Sequence, residues 1–167
     1  MESFLNKLKD IKAFVFDVDG VLTDGSVYMT NDGRQTRAFN IKDGYALQLA
    51  AKKGYCLCAI SGSRSEAARH RLNGLGIKDV FLSSHDKPAT LKKFLEDKGL
   101  KAADVLYMGD DITDLEAMKL TGLPVAPADA VEEVKAISAY VSPLDGGKGC
   151  VRDVIEKVMK VQEKWAI

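Results

Sequence analysis

The sequence predicts an α/β fold: a doubly wound parallel sheet with helices on both faces. Three observations predict it. Short apolar runs alternate with longer stretches of helical spacing along the whole chain. The apolar runs are continuous, as in strands covered on both faces. Several of them end in aspartate or serine, the polar residues found where open parallel sheets bind ligands.

The elements follow in order. "MESFLNKLKD" suits a short helix leading into "AFVFDV", a buried strand rich in Phe and Val. "VYMTNDGRQTRAF" is a candidate hairpin turning at Asn31-Asp32-Gly33. "GYALQLAAKKG" has helical spacing and stops at Gly54, and "YCLCAIS" is the second buried strand. "RSEAARHRLNGLG" is a polar-faced helix and "DVFLSS" a short strand. "KPATLKKFLEDKGL" opens near Pro88 and closes at Gly99. "VLYMGDD" is a strand, "TDLEAMKLTG" a helix, "LPVAP" a strand and "AVEEVKAISA" a helix. "YVSP" is the last strand, and "GCVRDVIEKVMKVQEKW" an amphipathic closing helix on which Trp165 packs.

Composition bounds the function. A chain of 167 residues without repeats, linkers or low-complexity stretches reads as one domain, 1–167. A formal net charge of zero argues against nucleic acid or an acidic membrane surface as partner. No apolar run approaches the roughly 18 residues of a membrane span, and the first residues lack a signal-peptide core. Cys56 and Cys58 share one face of a strand and read as buried reduced thiols, with Cys150 alone; the chain reads as cytoplasmic. His70 and His85 have no ligand spacing and read as surface or loop residues.

The chemistry gathers at the strand ends. The first strand ends in Asp17-Val18-Asp19, the second in Ser61-Gly62, and "VLYMG" in Asp110-Asp111, with Asp114 one turn on. Lys87 opens the helix after "FLSSHD". Adjacent carboxylates repel, and a hard cation between them removes the repulsion; Mg²⁺ prefers one or two carboxylates with waters and a phosphate. A carboxylate can attack phosphorus to form an aspartyl-phosphate. A second, two residues on, can protonate the leaving alkoxide and later take a proton from water. Ser61 and neighbouring N–H groups can hold phosphate oxygens, and Lys87 adds positive charge to the transition state. Asp111 and Asp114 also suit a helix N-terminus, where acids favour the dipole.

"DVDGVLTDG", "ISGS", Lys87 and "GDDITD", in that order, resemble the phosphatases of the haloacid dehalogenase superfamily. That resemblance implies that Asp17 is the nucleophile and Asp19 the acid/base. It implies that Asp17, the Asp19 backbone carbonyl and Asp110 bind Mg²⁺, with Asp111 and Asp114 supporting the metal waters or Lys87. It implies too that Ser61, Gly62 and Lys87 hold the phosphate. Neither Asp19 to Ser61 nor Ser61 to Lys87 leaves room for a cap domain, which implies the capless subclass. Small capless members form homotetramers whose neighbouring subunits close each site, here through the segment from Tyr28 to Arg37.

"FNIKDGYALQLAAKKG", "RLNGLGI" and "GGKGCVRDVIE" narrow the resemblance to the family of 3-deoxy-D-manno-octulosonate 8-phosphate phosphatases, which serve lipopolysaccharide synthesis. The substrate implied is an eight-carbon sugar-acid phosphate. Many family members carry arginine directly after the second-motif glycine; here Ser63 stands there and Arg64 follows. Arg64 and Arg71, seven apart on one expected helix face, are read as the cations for the substrate carboxylate, Arg71 reaching a neighbour's site. Two alternatives stay open. A sister family takes the nine-carbon 9-phosphate sugar acid. Receiver domains share the doubly wound fold and store a phosphoryl group, but they lack an acid/base two residues after the nucleophile.

Overall fold

The computed structural model describes residues 3–166. The first strand, β1 (Ala13–Phe16), alternates Ala13 and Val15 on one face with Phe14 and Phe16 on the other, and all four are buried. A strand of this kind must be covered on both sides. It pairs in parallel with β4 (Cys56–Ile60) on one edge and β6 (Val105–Met108) on the other. With β5 (Asp79–Phe81), β7 (Leu123–Ala126) and β8 (Tyr140–Val141), these form a six-stranded parallel sheet in the order β5-β4-β1-β6-β7-β8. The chain leaves β1 toward β4 and β5 and returns to β6 on the opposite side. Such a reversal opens a crevice at the carboxyl ends of the central strands.

The helices divide between two apolar layers. Phe14, Phe16, Leu57, Leu106 and Val125 face α1 (Phe4–Asp10), α2 (Ile41–Lys52), α3 (Glu66–Gly74) and α7 (Cys150–Val161). Val15, Cys58, Ile60 and Tyr107 face α4 (Lys87–Lys98), α5 (Leu115–Lys119) and α6 (Glu132–Ile137). The doubly wound sheet follows the expectation. Between β1 and β4 stand only a hairpin, β2 (Tyr28–Met29) with β3 (Gln35–Thr36), and α2. Between β4 and α4 stand only α3 and β5, so neither interval holds a cap domain.

Three boundaries differ from the sequence reading. α2 starts at Ile41, before Gly44, because the Asn40 side chain accepts from the N–H groups of Lys42 and Asp43 (2.9 and 3.1 Å). α3 starts at Glu66 because Ser65 caps it, accepting from Ala68 N–H at 3.2 Å. Arg64 therefore lies outside the helix, and the shared helix face assigned to Arg64 and Arg71 does not exist. The helix expected after Asp110 is split into a tight turn, Ile112–Asp114, and the five-residue α5.

Two long-range contacts tie α7 to the site. Its N-cap, Gly149, has no side chain, and the buried Asp43 of α2 caps it instead, accepting from Arg152 N–H at 2.9 Å. The turn before α7 lies against the turn after β1: Gly147 N–H donates to the Val21 carbonyl (2.9 Å), and a Cβ at Gly146 would overlap the Gly20 carbonyl. Asp43→Ala removes the cap of α7 and is expected to lower unfolding stability by about 1–2 kcal/mol. Asp43→Asn, which keeps an accepting oxygen, is expected to lose less. Urea denaturation checks both, and equal losses would show that the cap is not what Asp43 contributes.

Candidate active site

The strand ends build the site. β1 delivers Asp17 with its N–H bonded to the Met108 carbonyl of β6 (3.1 Å), so the nucleophile candidate is fixed by the sheet itself. The chain then makes one wide turn, Val18–Leu22, closed by Thr23 N–H on the Val18 carbonyl (3.1 Å). Gly20 sits in this turn at φ 89°, and a Cβ there would overlap the Asp110 carboxylate. Glycine is required both by the backbone and by the approach of Asp110.

Lys87 is buried at the first position of α4 and reaches two carboxylates, Asp17 Oδ1 at 3.2 Å and Asp114 Oδ1 at 2.7 Å. Asp114 is saturated. Its Oδ1 also accepts from Tyr107 Oη (3.1 Å), and its Oδ2 accepts from the N–H groups of Asp110 (3.1 Å) and Asp111 (3.4 Å). Asp17 Oδ1 accepts from Val18 N–H at 2.7 Å. Ser61, buried, accepts on its hydroxyl from Ser63 N–H (3.1 Å), which leaves its own proton to donate. The loops after β4 and β5 are stitched by Ser84 N–H to the Ser61 carbonyl and Ser83 N–H to the Ser63 carbonyl, both 2.9 Å. Asp17, Ser61, Ser63, Ser84 and Lys87 line a cavity of about 450 Å³ with Asp19, Asp110 and Asp111.

The electrostatics are strained. Burial, then the charge of Asp114, raises the Asp17 carboxyl well above its usual range, and Lys87 only partly offsets this. Burial, then Asp114 and Asp111, pushes Asp110 up to about 7. Burial opposes the charge on Lys87, but Asp17 and Asp114 outweigh it and raise its pKa. Carboxylate oxygens of Asp17, Asp110 and Asp114 lie within 4.8 Å of one another. Asp110 Oδ1 is buried and has no hydrogen-bond partner. An orphaned, buried carboxylate oxygen beside a second carboxylate fits a hard divalent cation. Because Asp114 is already satisfied, Asp17 and Asp110 are the two carboxylates with oxygens to give.

The structure brings Asp17, Asp19, Ser61, Gly62, Lys87, Asp110 and Asp111 to one cavity, with Asp114 beneath it. Asp111 is exposed and bonds Ile112 N–H at 2.7 Å, completing with Asp114 a reciprocal cap of the turn. Arg64 lines an adjoining cavity of about 680 Å³ with Arg34 and Arg37; Gly62 and Ser63 line both. Arg71 lines neither of these two. It packs across α2, where a Cβ at Gly44 would strike its Nη2, so the helix crossing accounts for it. Trp165 stacks edge-on against Tyr45 and takes Arg152 on its face, a packing role as expected.

Three residues escaped the sequence reading. Tyr107 read as one more apolar strand residue, yet its hydroxyl holds Asp114; a phenol one residue before a strand's carboxyl end was the available signal. His85 is exposed in its loop as expected but lines the cavity. Arg37 had no periodic signal; it clamps Asp19 from just past the far strand of the hairpin, its own side chain 4% exposed.

A family model described as haloacid dehalogenase-like hydrolase matches residues 56–152. The chain belongs to that family. The match runs from β4 into α7, and curated relatives extend the likeness through β1. The 3-deoxy-D-manno-octulosonate 8-phosphate phosphatase of Salmonella typhi is 34% identical over 160 residues, covering 96% of this chain and 85% of the relative. The Escherichia coli K12 phosphatase of the same name is 34% identical over 158 residues, covering 95% and 84%. The phosphatase of that name from Yersinia pestis superposes with a TM-score of 0.94 at 33% identity, over 96% of this chain and 86% of that one. The Moraxella catarrhalis phosphatase, solved with magnesium, phosphate and 3-deoxy-D-manno-octulosonate, has a TM-score of 0.93 at 34% identity, over 96% and 92%.

A raised Asp110 carboxyl takes up a proton on folding, so metal-free stability is expected to fall as pH rises from the usual carboxylate range to about 7. Asp110→Asn should make that slope shallower, leaving the part that the raised Asp17 carboxyl contributes. At pH 8, Mg²⁺ at about 100 times its dissociation constant should raise the melting temperature of the parent chain by several degrees and leave Asp110→Asn unmoved. Calorimetry reads both; an Mg²⁺ shift that survives the substitution would remove Asp110 from the metal site.

Proposed function

We propose that the chain is a Mg²⁺-dependent phosphatase that hydrolyses 3-deoxy-D-manno-octulosonate 8-phosphate to the free sugar acid and phosphate. The observation that carries this reading is the joining of two cavities: one with nucleophile, acid and cation for a phosphoryl group, the next lined by three arginines suited to a carboxylate. The relatives of that name, similar over nearly their whole length, support the same substrate. They favour the eight-carbon acid over the nine-carbon one. A receiver-like role is disfavoured by Asp19, which gives the site the proton donor that turnover needs.

Asp17 Oδ1 accepts from Val18 N–H and lies 3.2 Å from Lys87, so Oδ2 is the freer oxygen and the one to attack phosphorus. The bond to the sugar oxygen breaks as Asp19 gives that oxygen its proton. Water then attacks phosphorus, Asp19 takes its proton, and Asp17 is released. Ser61 donates to the phosphoryl oxygens and Lys87 sets its charge beside them. Mg²⁺, held by Asp17, Asp110 and the Asp19 carbonyl, would neutralise phosphoryl charge and the repulsion between the two carboxylates. Asp111 and Asp114 support this set, Asp114 through Lys87.

The same reading extends to assembly. Tyr28 and Met29 of the hairpin are 56% and 62% exposed, an apolar pair beside the site suited to a second copy of this chain in a homotetramer. No described helix is long and apolar enough to cross a membrane.

Asp17→Asn is expected to reduce phosphate release by about a thousandfold or more while leaving the fold intact. Asp19→Asn should slow an alkyl sugar phosphate much more than an activated aryl phosphate, since only the poor leaving group needs a proton. A phosphate-release screen with Mg²⁺ over eight- and nine-carbon sugar-acid phosphates tests the substrate. Preference for the nine-carbon ester, or no turnover of either, would overturn it.

A further inference from the structure

We propose that Arg37 couples recognition of the substrate carboxylate to release of the acid/base Asp19; this rests on the sugar-acid phosphatase reading above. Arg37 follows β3 and lines the arginine-rich cavity, whereas Asp19 lines the reactive one. The two meet across the boundary. Arg37 Nε donates to Asp19 Oδ1 and Nη2 to Oδ2 at 3.2 Å, a two-pronged pair. Each Asp19 oxygen keeps a second lone pair, but the two-pronged pair fixes the plane of the carboxyl and turns it toward the hairpin, away from a leaving alkoxide. The pair restrains the chemistry it adjoins.

The burial of Arg37 decides what can open the pair. Its side chain is 4% exposed, while Asp19's is 31% exposed. Withdrawing Asp19 without replacement would strand a buried guanidinium, which is strongly unfavourable. Replacing Asp19 by another carboxylate leaves the guanidinium paired, so the exchange is close to balanced. Arg37 also has a donor in reserve, since Nη1 is buried and unpartnered. The other arginines of this cavity are placed differently: Arg34 is paired with Asp32 at 2.5 Å and is solvent-exposed, and Arg64 is exposed. A substrate carrying phosphate at one end and carboxylate at the other thus frees its own acid catalyst as it binds. A phosphate ester lacking the carboxylate meets a clamped Asp19.

The alternative is that Arg37 simply orients Asp19 throughout catalysis. Activation in trans separates the two. Pyruvate offers a 2-keto carboxylate without phosphate, and glycerol 3-phosphate offers an alkyl phosphate without a carboxylate. Saturating pyruvate is expected to raise turnover of glycerol 3-phosphate by the parent chain several-fold, on the order of the strength of one two-pronged pair. Arg37→Ala should turn over glycerol 3-phosphate faster than the parent without pyruvate and be insensitive to it, while losing at least roughly thirtyfold in kcat/KM on the sugar-acid phosphate. Arg37→Gln serves in its place if the alanine variant does not fold. No pyruvate activation, activation that persists without Arg37, or equal losses on both esters would overturn the proposal. If the parent chain ignores the sugar-acid phosphate but pyruvate still activates it through Arg37, the substrate reading falls and the coupling stands.

Discussion

At the carboxyl edge of the sheet one ammonium group, on Lys87, lies 3.2 Å from Asp17 and 2.7 Å from Asp114, all three nearly out of solvent. The site depends on this contact. Three buried or half-buried carboxylates converge there, and one lysine cannot balance them. Asp114 makes the shorter contact with Lys87 and also accepts from a tyrosine hydroxyl and two backbone N–H groups. The shortage of positive charge therefore falls on Asp17 and Asp110, whose carboxyls are both raised. A divalent cation brings the positive charge that this cluster lacks, and with it a counter-charge for a phosphoryl group. The affinity for the cation comes from an imbalance that the fold maintains.

The fold maintains it through rigid backbone. Asp17 leaves the central strand hydrogen-bonded to β6, and Asp110 follows that same β6, so the two strands set the distance between the carboxylates. Gly20 lets Asp110 come in over the turn, and Lys87 arrives at the first residue of a helix whose cap, Asp86, accepts from Ala89 N–H at 3.0 Å. Only Asp19 among the reactive groups is held by something outside this frame, the hairpin residue Arg37. Adjustable contact is confined to the one group proposed to exchange a proton.

The sheet was legible because β1, β4 and β6 are short, continuous apolar runs with sharp ends, and the strand ends placed Asp17, Ser61 and Asp110 without further help. Helix starts were less legible. Asn40 and Ser65 are caps, and a cap is recognised by which N–H groups its side chain accepts from, not by hydrophobic period. That is why Arg64 was assigned to a helix it precedes. Arg71 shows a further limit: the spacing of a helix tells which residues share a face, but not which neighbour the face meets, here Gly44 of α2. Tyr107 and Arg37 act through partners distant in sequence, and nothing local to either residue marks those partners.

The turn before α7 bears on the order in which the chain becomes an enzyme. Gly147 donates to Val21, and Cys150 Sγ lies 3.4 Å from the same carbonyl, 129 residues further along the chain. Asp17 and Asp19 are synthesised well before the backbone that braces the turn between them. A nascent chain can hydrogen-bond β1 to β4 and later to β6 while its catalytic turn still lacks one wall. The catalytic turn therefore waits on a distant segment, and a chain cut short before Gly146 would carry Asp17, Asp19, Lys87 and Asp110 with no floor under the turn between the first two.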